Sequence, residues 1–211
     1  MSVKLITITP YAEKTMSYIA RVSNPTNQNN ENIERLLRYC FKNGHWSVFE
    51  TCYMTIEINT NITIANQLLR HRSFTFQQFS QRYANINNLD NLQAPLLRRQ
   101  DHKNRQNSID NIDDTVKYIL TQKIEDHYKS SIELYNYLID NDIAKECARF
   151  VLPCNTPTRL YMTGNIRSWI HYIQVRTKPD TQYEHRIIAD KISKIVEKNL
   201  PIIGSLISDF S

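Results

Sequence analysis

The chain has 211 residues, a length that suits one sizeable hydrophobic core. Its 26 basic and 21 acidic residues give a net charge of +5, which favours anionic partners without requiring nucleic acid. The three glycines, Gly44, Gly164 and Gly204, lie far apart, which excludes a glycine-rich dinucleotide loop and a phosphate-binding P-loop.

In the first half of the chain, alternating apolar residues predict strands over residues 3–9 and 49–59. Helices are predicted over residues 13–22 and 33–41. A further helix starts at Ile62, with its apolar residues at helical spacing, and places Gln67, Arg70 and His71 together on its opposite side. Residues 77–83 are predicted as a loop that passes into a short strand.

The second half of the chain is mainly helical in its pattern. After a loop over residues 98–108, a long amphipathic helix is predicted over residues 113–140. A shorter helix begins at Ile143 and ends before Pro153. A strand over residues 160–163 leads into a helix that opens at Gly164-Asn165, and helices over 182–198 and 201–209 follow. The candidate core residues of the long helix are Val116, Ile119, Leu120, Tyr128, Ile132, Tyr135 and Ile139.

These elements predict an α+β fold in which helices predominate. We expect a single domain over residues 1–211, with a central antiparallel or mixed sheet flanked by helices and a long-helix extension. The cysteines show no close-paired metal spacing, so no metal site is predicted. The first apolar run is too short for a signal core or a membrane span, so we expect a reduced, cytoplasmic chain with no membrane partner.

The most informative segment is RHRSFTFQQFSQRY, which begins at Arg70 and ends at Tyr83. Fork-shaped guanidinium donors beside aromatic rings suit an anionic, planar ligand such as a nucleotide. A solvated basic segment with its aromatic residues in the core is the alternative interpretation on composition alone.

The segment closely resembles the motif of the flavin-dependent thymidylate synthases. That motif has Arg-His-Arg, two variable residues, Ser, one variable residue, Asn, two variable residues, Ser, one variable residue and Arg. Thr75 stands for the first Ser and Gln77 for the Asn, while Gln78 stands where many members carry Glu. Further blocks resemble the family in its order along the chain: residues 20–23, 43–50, 146–153, 165–168 and 175–176.

The resemblance implies that the chain makes dTMP from dUMP. It implies FAD as cofactor, methylenetetrahydrofolate as one-carbon donor and NADPH as reductant of the flavin, which supplies the hydride that completes the methyl group. It also implies a homotetramer whose active sites are shared between chains.

The resemblance also implies the roles of individual residues. Arg176 polarises the uracil ring near its N3 and is the catalytic residue. His45 lies on the folate or flavin side. The flavin-binding positions are Ser47, Arg70, His71, Arg72, Ser73, Gln78, Asn165, Arg167 and His171, the last replacing what is often an amide. The dUMP-binding positions are Gln67, Arg70, Gln78, Phe79, Ser80, Gln81, Arg82, Arg149 and Arg176.

Two other functions remain open at this point. Cys154 follows a proline, as does the nucleophile of the cysteine-dependent thymidylate synthases, but no downstream pattern of that family follows, so we interpret Cys154 as a small buried residue. A basic nucleic-acid-binding module is the other possibility, given a pI of about 9.0, and it predicts a colourless protein whose affinity for oligonucleotides falls steeply with salt. Nucleic acid is not expected as a partner.

Overall fold

The structure is a computed structural model that describes residues 1–209. Within these residues it contains eight α-helices and six strands. The strands are β1 (Ser2–Ile8), β2 (Tyr53–Asn61), β3 (Thr75–Gln78), β4 (Arg99–Gln100), β5 (Ser108–Ile109) and β6 (Pro157–Asn165). The helices are α1 (Ala12–Ala20), α2 (Ile33–Lys42), α3 (Ile62–Leu68), α4 (Asp114–Asp140), α5 (Lys145–Ala148), α6 (Ile166–Arg176), α7 (Tyr183–Asn199) and α8 (Pro201–Asp209).

Four strands form an antiparallel sheet in the order β1-β2-β6-β3. Two side-chain pairs fix the register of β2 against β6: Thr55 faces Thr163, with 2.9 Å between their hydroxyls, and Tyr161 donates to Glu57 at 2.9 Å. The residue numbers rise on one strand as they fall on the other, as antiparallel pairing requires. The predicted α+β class is confirmed, and the sheet is antiparallel rather than mixed.

The chain folds into two compact units. Among the described residues, unit 1 contains residues 1–58, 69–77 and 161–209, and unit 2 contains residues 59–68 and 78–160. Strands β2, β3 and β6 therefore each have residues in both units. The single domain over residues 1–211 stays a prediction, and its last two residues, Phe210 and Ser211, lie outside the described residues.

The core of unit 1 comes from one face of β2 and from helices α6, α7 and α8. Met54, Ile56 and Ile58 are buried because alternate residues of a strand point to the same face. Trp169 is buried as well, and its indole N–H donates to the Met54 carbonyl at 3.0 Å, so its polar atom is satisfied. The apolar stripe of α6 is buried throughout: Ile166, Trp169, Ile170 and Ile173.

In unit 2 the core gathers on the C-terminal half of α4. Tyr135 is fully buried there, packed with Ile86 and Ala148. Asp113 begins the helix as predicted, since its carboxylate accepts hydrogen bonds from Thr115 N and Val116 N and so caps the first turn.

The N-terminal half of α4 differs from the prediction. Three of its predicted core residues are exposed in the described chain: Val116 at 43 %, Ile119 at 49 % and Leu120 at 42 %. Their spacing is that of one helix face, so the predicted apolar stripe is present, but the described residues leave nearly half of each of these side chains exposed.

Several predicted boundaries were wrong. Residues 46–50 form a 3-10 turn and β2 begins only at Tyr53, because Phe49 is buried in the turn against Phe41 and Trp46. The loop predicted over residues 98–108 contains the two short strands β4 and β5, paired antiparallel.

No described helix is long and apolar enough to cross a membrane.

Candidate active site

The predicted site begins where β6 runs directly into α6 in unit 1. Asn165 ends the strand, and its side-chain oxygen accepts a hydrogen bond from Ser168 N at 2.9 Å, which caps the helix. Arg167 and His171 lie four residues apart on the exposed face of α6. The sequence thus places a capped helix start and two basic side chains together.

Arg167 is engaged by a residue that the sequence analysis did not single out. Its guanidinium forms an ion pair with Glu50 and lies 6.0 Å from the centre of the Trp46 ring. About half of the Arg167 side chain is exposed, at 49 %, so the pair is weak enough for an anionic ligand to compete with it. His45 and Ser47 come from the same segment and are exposed, with the His45 ring edge-on to Tyr39.

The arginine-rich segment leaves the helix earlier than predicted. Because α3 ends at Leu68, the helix does not hold Gln67, Arg70 and His71 on one side, and that prediction was wrong. A turn follows instead, in which Phe74 N donates to the His71 carbonyl at 3.1 Å. The turn leaves Arg70, Arg72 and Ser73 exposed, whereas His71 is half-buried and Phe74 is buried.

His71 forms the central contact of the site with Arg176. The Arg176 Nε–H donates to His71 Nε2 at 2.9 Å, so this imidazole is neutral and carries its proton on Nδ1. Burial, and then the positive charge of Arg176 and His171, lower the pKa of His71 to about 4. The sequence analysis named both residues but did not connect them.

Two buried residues that the sequence analysis missed pack against His71. The Tyr172 ring lies 5.0 Å from the His71 ring and the His185 ring lies 6.2 Å from it, both edge-on. His185 Nε2 and the Tyr172 hydroxyl are 3.2 Å apart. Burial, followed by Arg176 and His71, lowers the pKa of His185 to about 3, and burial raises the pKa of Tyr172. No sequence pattern around His185 signals this role.

Unit 1 therefore presents positive charge that its own residues do not neutralise. Within residues 1–209 the terminal nitrogens of Arg176 form no hydrogen bond, and Arg70 and Arg72 form neither a hydrogen bond nor an ion pair. Three such guanidinium groups are the donors that planar and phosphate-bearing anions require.

Unit 2 contains the end of the motif. The strand β3 comes first and the turn follows, the reverse of the predicted order. Gln78 ends the strand and its amide donates to the Thr158 hydroxyl at 3.2 Å, while Phe79 N donates to the Arg159 carbonyl at 2.8 Å. Ser80 then begins a turn, since its carbonyl accepts from Tyr83 N and Ala84 N.

Arg82 is held by Glu146, another residue that the sequence analysis did not single out. Both Arg82 Nε and a terminal nitrogen reach Glu146 Oε2, at 3.0 and 2.9 Å. The two residues line a depression of about 370 Å³ together with Ser80, Tyr83, Ala144 and Lys145. The Gln81 side-chain nitrogen is buried with no partner among the described residues, so it is a donor that a ligand can satisfy.

The other predicted residues of unit 2 lie on neighbouring elements. Gln67 is half-buried on the last turn of α3. Arg149 follows α5, with its guanidinium 5.7 Å from the centre of the exposed Phe150 ring. Cys154 is exposed rather than buried, so that prediction was wrong; its carbonyl, not its thiol, is engaged, by Thr63.

Comparison with known proteins gives a consistent result. Residues 4–202 match the family model described as "Thymidylate synthase complementing protein". The chain is 48 % identical over 212 residues to a protein of Paramecium bursaria Chlorella virus 1 named "Probable flavin-dependent thymidylate synthase", with 97 % of each chain covered. It is 49 % identical over 193 residues to the "Flavin-dependent thymidylate synthase" of Synechocystis, covering 92 % of this chain and 88 % of that one.

A solved structure is also similar over nearly the whole chain. The UMP/dUMP methylase PolB from Streptomyces cacaoi, bound with 5-Br dUMP, superposes with a TM-score of 0.84 at 27 % identity, covering 99 % of this chain and 95 % of that one. The same enzyme bound with 5-Br UMP gives a TM-score of 0.85 at 25 % identity.

Proposed function

Because the chain belongs to the flavin-dependent thymidylate synthase family, we propose that it converts dUMP to dTMP with methylenetetrahydrofolate as one-carbon donor and FAD reduced by NADPH. The observation that carries this proposal is the guanidinium of Arg176. Its Nε–H is fixed on a neutral imidazole and its terminal nitrogens are uncommitted within residues 1–209. Such a group stabilises negative charge that develops on a pyrimidine ring.

The donor set of unit 1 fits a flavin nucleotide. Arg70, Arg72 and Ser73 are exposed and adjacent, which suits the pyrophosphate, and Asn165 and Arg167 lie at the start of α6. His71, His171 and Ser47 complete the proposed flavin side, and His45 the folate side. When bound and reduced, FAD supplies the hydride that turns the transferred methylene into a methyl group.

The donor set of unit 2 fits a nucleoside monophosphate. Gln81 offers a buried amide N–H that lacks a partner among the described residues, and Arg82 and Arg149 offer cations. The 5-Br dUMP and 5-Br UMP bound to PolB support this ligand class. The proposed dUMP-binding positions are Gln67, Arg70, Gln78, Phe79, Ser80, Gln81, Arg82, Arg149 and Arg176.

We also propose a cytoplasmic homotetramer with shared active sites. The exposed apolar face of α4 at Val116, Ile119 and Leu120 supports association with further copies, because large apolar side chains at helical spacing gain stability when they are covered. Mixing an Arg149→Ala chain with an Arg70→Ala chain tests the sharing. Mixed oligomers should regain part of the activity, and no recovery in verified mixtures contradicts the arrangement.

The test of the function is dTMP formation from dUMP with FAD, NADPH and methylenetetrahydrofolate, with UMP assayed in parallel. We expect a yellow protein that carries about one FAD per chain, because each chain has one set of donors, Arg70-His71-Arg72 with Asn165, Arg167 and His171, that fits a pyrophosphate and an isoalloxazine. Arg176→Ala should lower the rate about 100- to 1,000-fold, because one charge-assisted donor to the developing charge is lost. Arg176→Lys should restore little, since an ammonium lacks the planar fork.

Cys154→Ala is the matched control, because it separates this mechanism from nucleophilic attack by cysteine. Its thiol is exposed, so the variant should fold and keep substantial activity. A dead Cys154→Ala beside a near-normal Arg176→Ala refutes the proposed mechanism. A colourless protein that takes up no added FAD and binds oligonucleotides in a salt-dependent way identifies a nucleic-acid-binding module instead.

A further inference from the structure

The contact between Arg176 and His71 has a feature that flavin binding does not require. Most buried or half-buried arginines are held by carboxylates, but the described partner of Arg176 Nε is a neutral imidazole nitrogen. A carboxylate at that place would fix the guanidinium and also neutralise it. An imidazole lone pair fixes its direction and leaves its full positive charge for a ligand.

The geometry also determines which edge of the guanidinium is presented. An arginine has five N–H donors in one plane, and the Nε–H here is used by His71 at 2.9 Å. The edge that carries the two terminal nitrogens is uncommitted within residues 1–209. That edge can donate two parallel hydrogen bonds, the arrangement that recognises a carbonyl or imide anion.

The His71 ring is itself held in place by its neighbours. Tyr172, His185 and Phe74 lie edge-on to it at ring-centre distances of 5.0, 6.2 and 6.4 Å. Tyr172 and His185 are fully buried and their polar atoms meet at 3.2 Å, so this wall has little freedom to move. These ring contacts restrict the rotation of the imidazole, whose Nε2 lies towards Arg176.

We propose that His71 is a positioning residue that acts through Arg176, and that the buried Tyr172–His185 pair holds His71 in the orientation that aims the guanidinium. This role rests on the proposed function for the part played by Arg176, and it goes beyond the flavin contact that family resemblance implies for His71. Besides Arg176, the titratable groups that face His71 are His171 and Tyr172 from α6 and His185 from α7.

The first test uses two variants that differ in one acceptor atom. His71→Gln places an amide oxygen close to where Nε2 lies, whereas His71→Leu has a similar bulk and no acceptor. Assayed at saturating FAD, His71→Leu should lower kcat about 10- to 100-fold, the cost of a misplaced reacting group, while KM for dUMP stays close to wild type. His71→Gln should recover most of kcat. His127→Leu, on the exposed face of α4, serves as the surface control.

The second test reads the imidazole directly and needs no His71 variant. In protein labelled with ¹⁵N-histidine, the signal of His71 should show protonated Nδ1 and unprotonated Nε2 without added ligands. The pKa of His71 should remain well below 6.5 and should rise in Arg176→Met, since the charge of Arg176 is one of the causes that lower it.

The outcomes separate this proposal from the proposed function. A wild-type protein that forms no dTMP refutes the function and, with it, the positioning role. An active wild type with an equally active His71→Leu refutes the positioning role alone. If His71→Leu does not fold, the NMR measurement decides: a proton on Nε2, or an unchanged His71 pKa in Arg176→Met, overturns the proposal.

Discussion

Gly164 on β6 is the position where one added methyl group should have a measurable and localised cost. A Cβ built on Gly164 would lie 2.5 Å from Cδ1 and 2.6 Å from Cε1 of Phe74. Carbon atoms in contact are about 3.5–4.0 Å apart, so the ring would have to retreat by roughly 1 Å. Phe74 is 8 % exposed and its ring already meets Trp169 at 4.7 Å between ring centres, so it has little space to do so.

We therefore expect Gly164→Ala to destabilise the protein by about 1–3 kcal/mol, the usual cost of overpacking a core. For a chain of this length each kcal/mol lowers Tm by about 2–4 °C, so Tm should fall by roughly 2–12 °C. The assay is thermal and urea unfolding at one fixed protein concentration.

The control is the same substitution in a Phe74→Ala background, where the side chain ends at Cβ and the Cγ, Cδ1 and Cε1 atoms that collide with the new methyl are absent. The coupling energy from the four proteins isolates the contact between positions 74 and 164. Gly164→Ala should cost little in that background. An unchanged Tm in the single variant, or the same loss in both backgrounds, refutes the steric explanation.

Three further predictions concern single side chains. Burial lowers the pKa of His71 to about 4 and that of His185 to about 3, so below pH 6.5 the unfolded chain binds more protons than the folded chain, and stability should fall as the pH drops from 6.5 towards 4. In urea titrations His71→Gln should make this fall in stability shallower, and an identical slope in the variant contradicts the prediction. The buried hydroxyl of Tyr135 has no partner among the described residues, so Tyr135→Phe should leave Tm unchanged or raise it, and a loss above about 1 kcal/mol would reveal a hidden hydrogen bond. Glu146→Gln removes a largely exposed ion pair with Arg82, so the free energy of unfolding should change by less than about 1 kcal/mol. Calorimetry should show that this variant binds dUMP more tightly than wild type, because Arg82 is released, with deoxyuridine as the control ligand; weaker dUMP binding contradicts the prediction.

The helices were the part of the fold that the sequence predicted best. The helix predicted over residues 113–140 is α4, because Asp113 is a strong cap and the apolar spacing is regular. Periodicity does not say what covers an apolar face, however, and so Val116 and Leu120 were placed in the core although they are exposed in the described chain. Periodicity shows that a helix face is apolar, but it does not show whether that face is buried.

Strand boundaries and the site partners were harder to predict. The start of β2 was placed too early because Phe49 continues the alternating pattern while its burial comes from an aromatic cluster in a turn. Family resemblance identified Arg176 and Arg82 as site residues, but it did not identify their surroundings, such as Glu146 or His185. The reason is that the family motif names residues that bind ligands, whereas Glu146 and His185 contact other residues of the protein. Only the geometry of the chain connects such pairs.

The two junctions at which a strand becomes a helix without an intervening loop have a consequence for engineering. Asn61 ends β2 and caps α3 through Ile64 N at 2.9 Å, and Asn165 ends β6 and caps α6 in the same way. One inserted residue at either asparagine would turn the following helix by about 100° relative to its strand and move its apolar face away from the core. Affinity tags or fluorescent labels belong elsewhere, and the exposed turn between β4 and β5, around Lys103, is the natural place to introduce them.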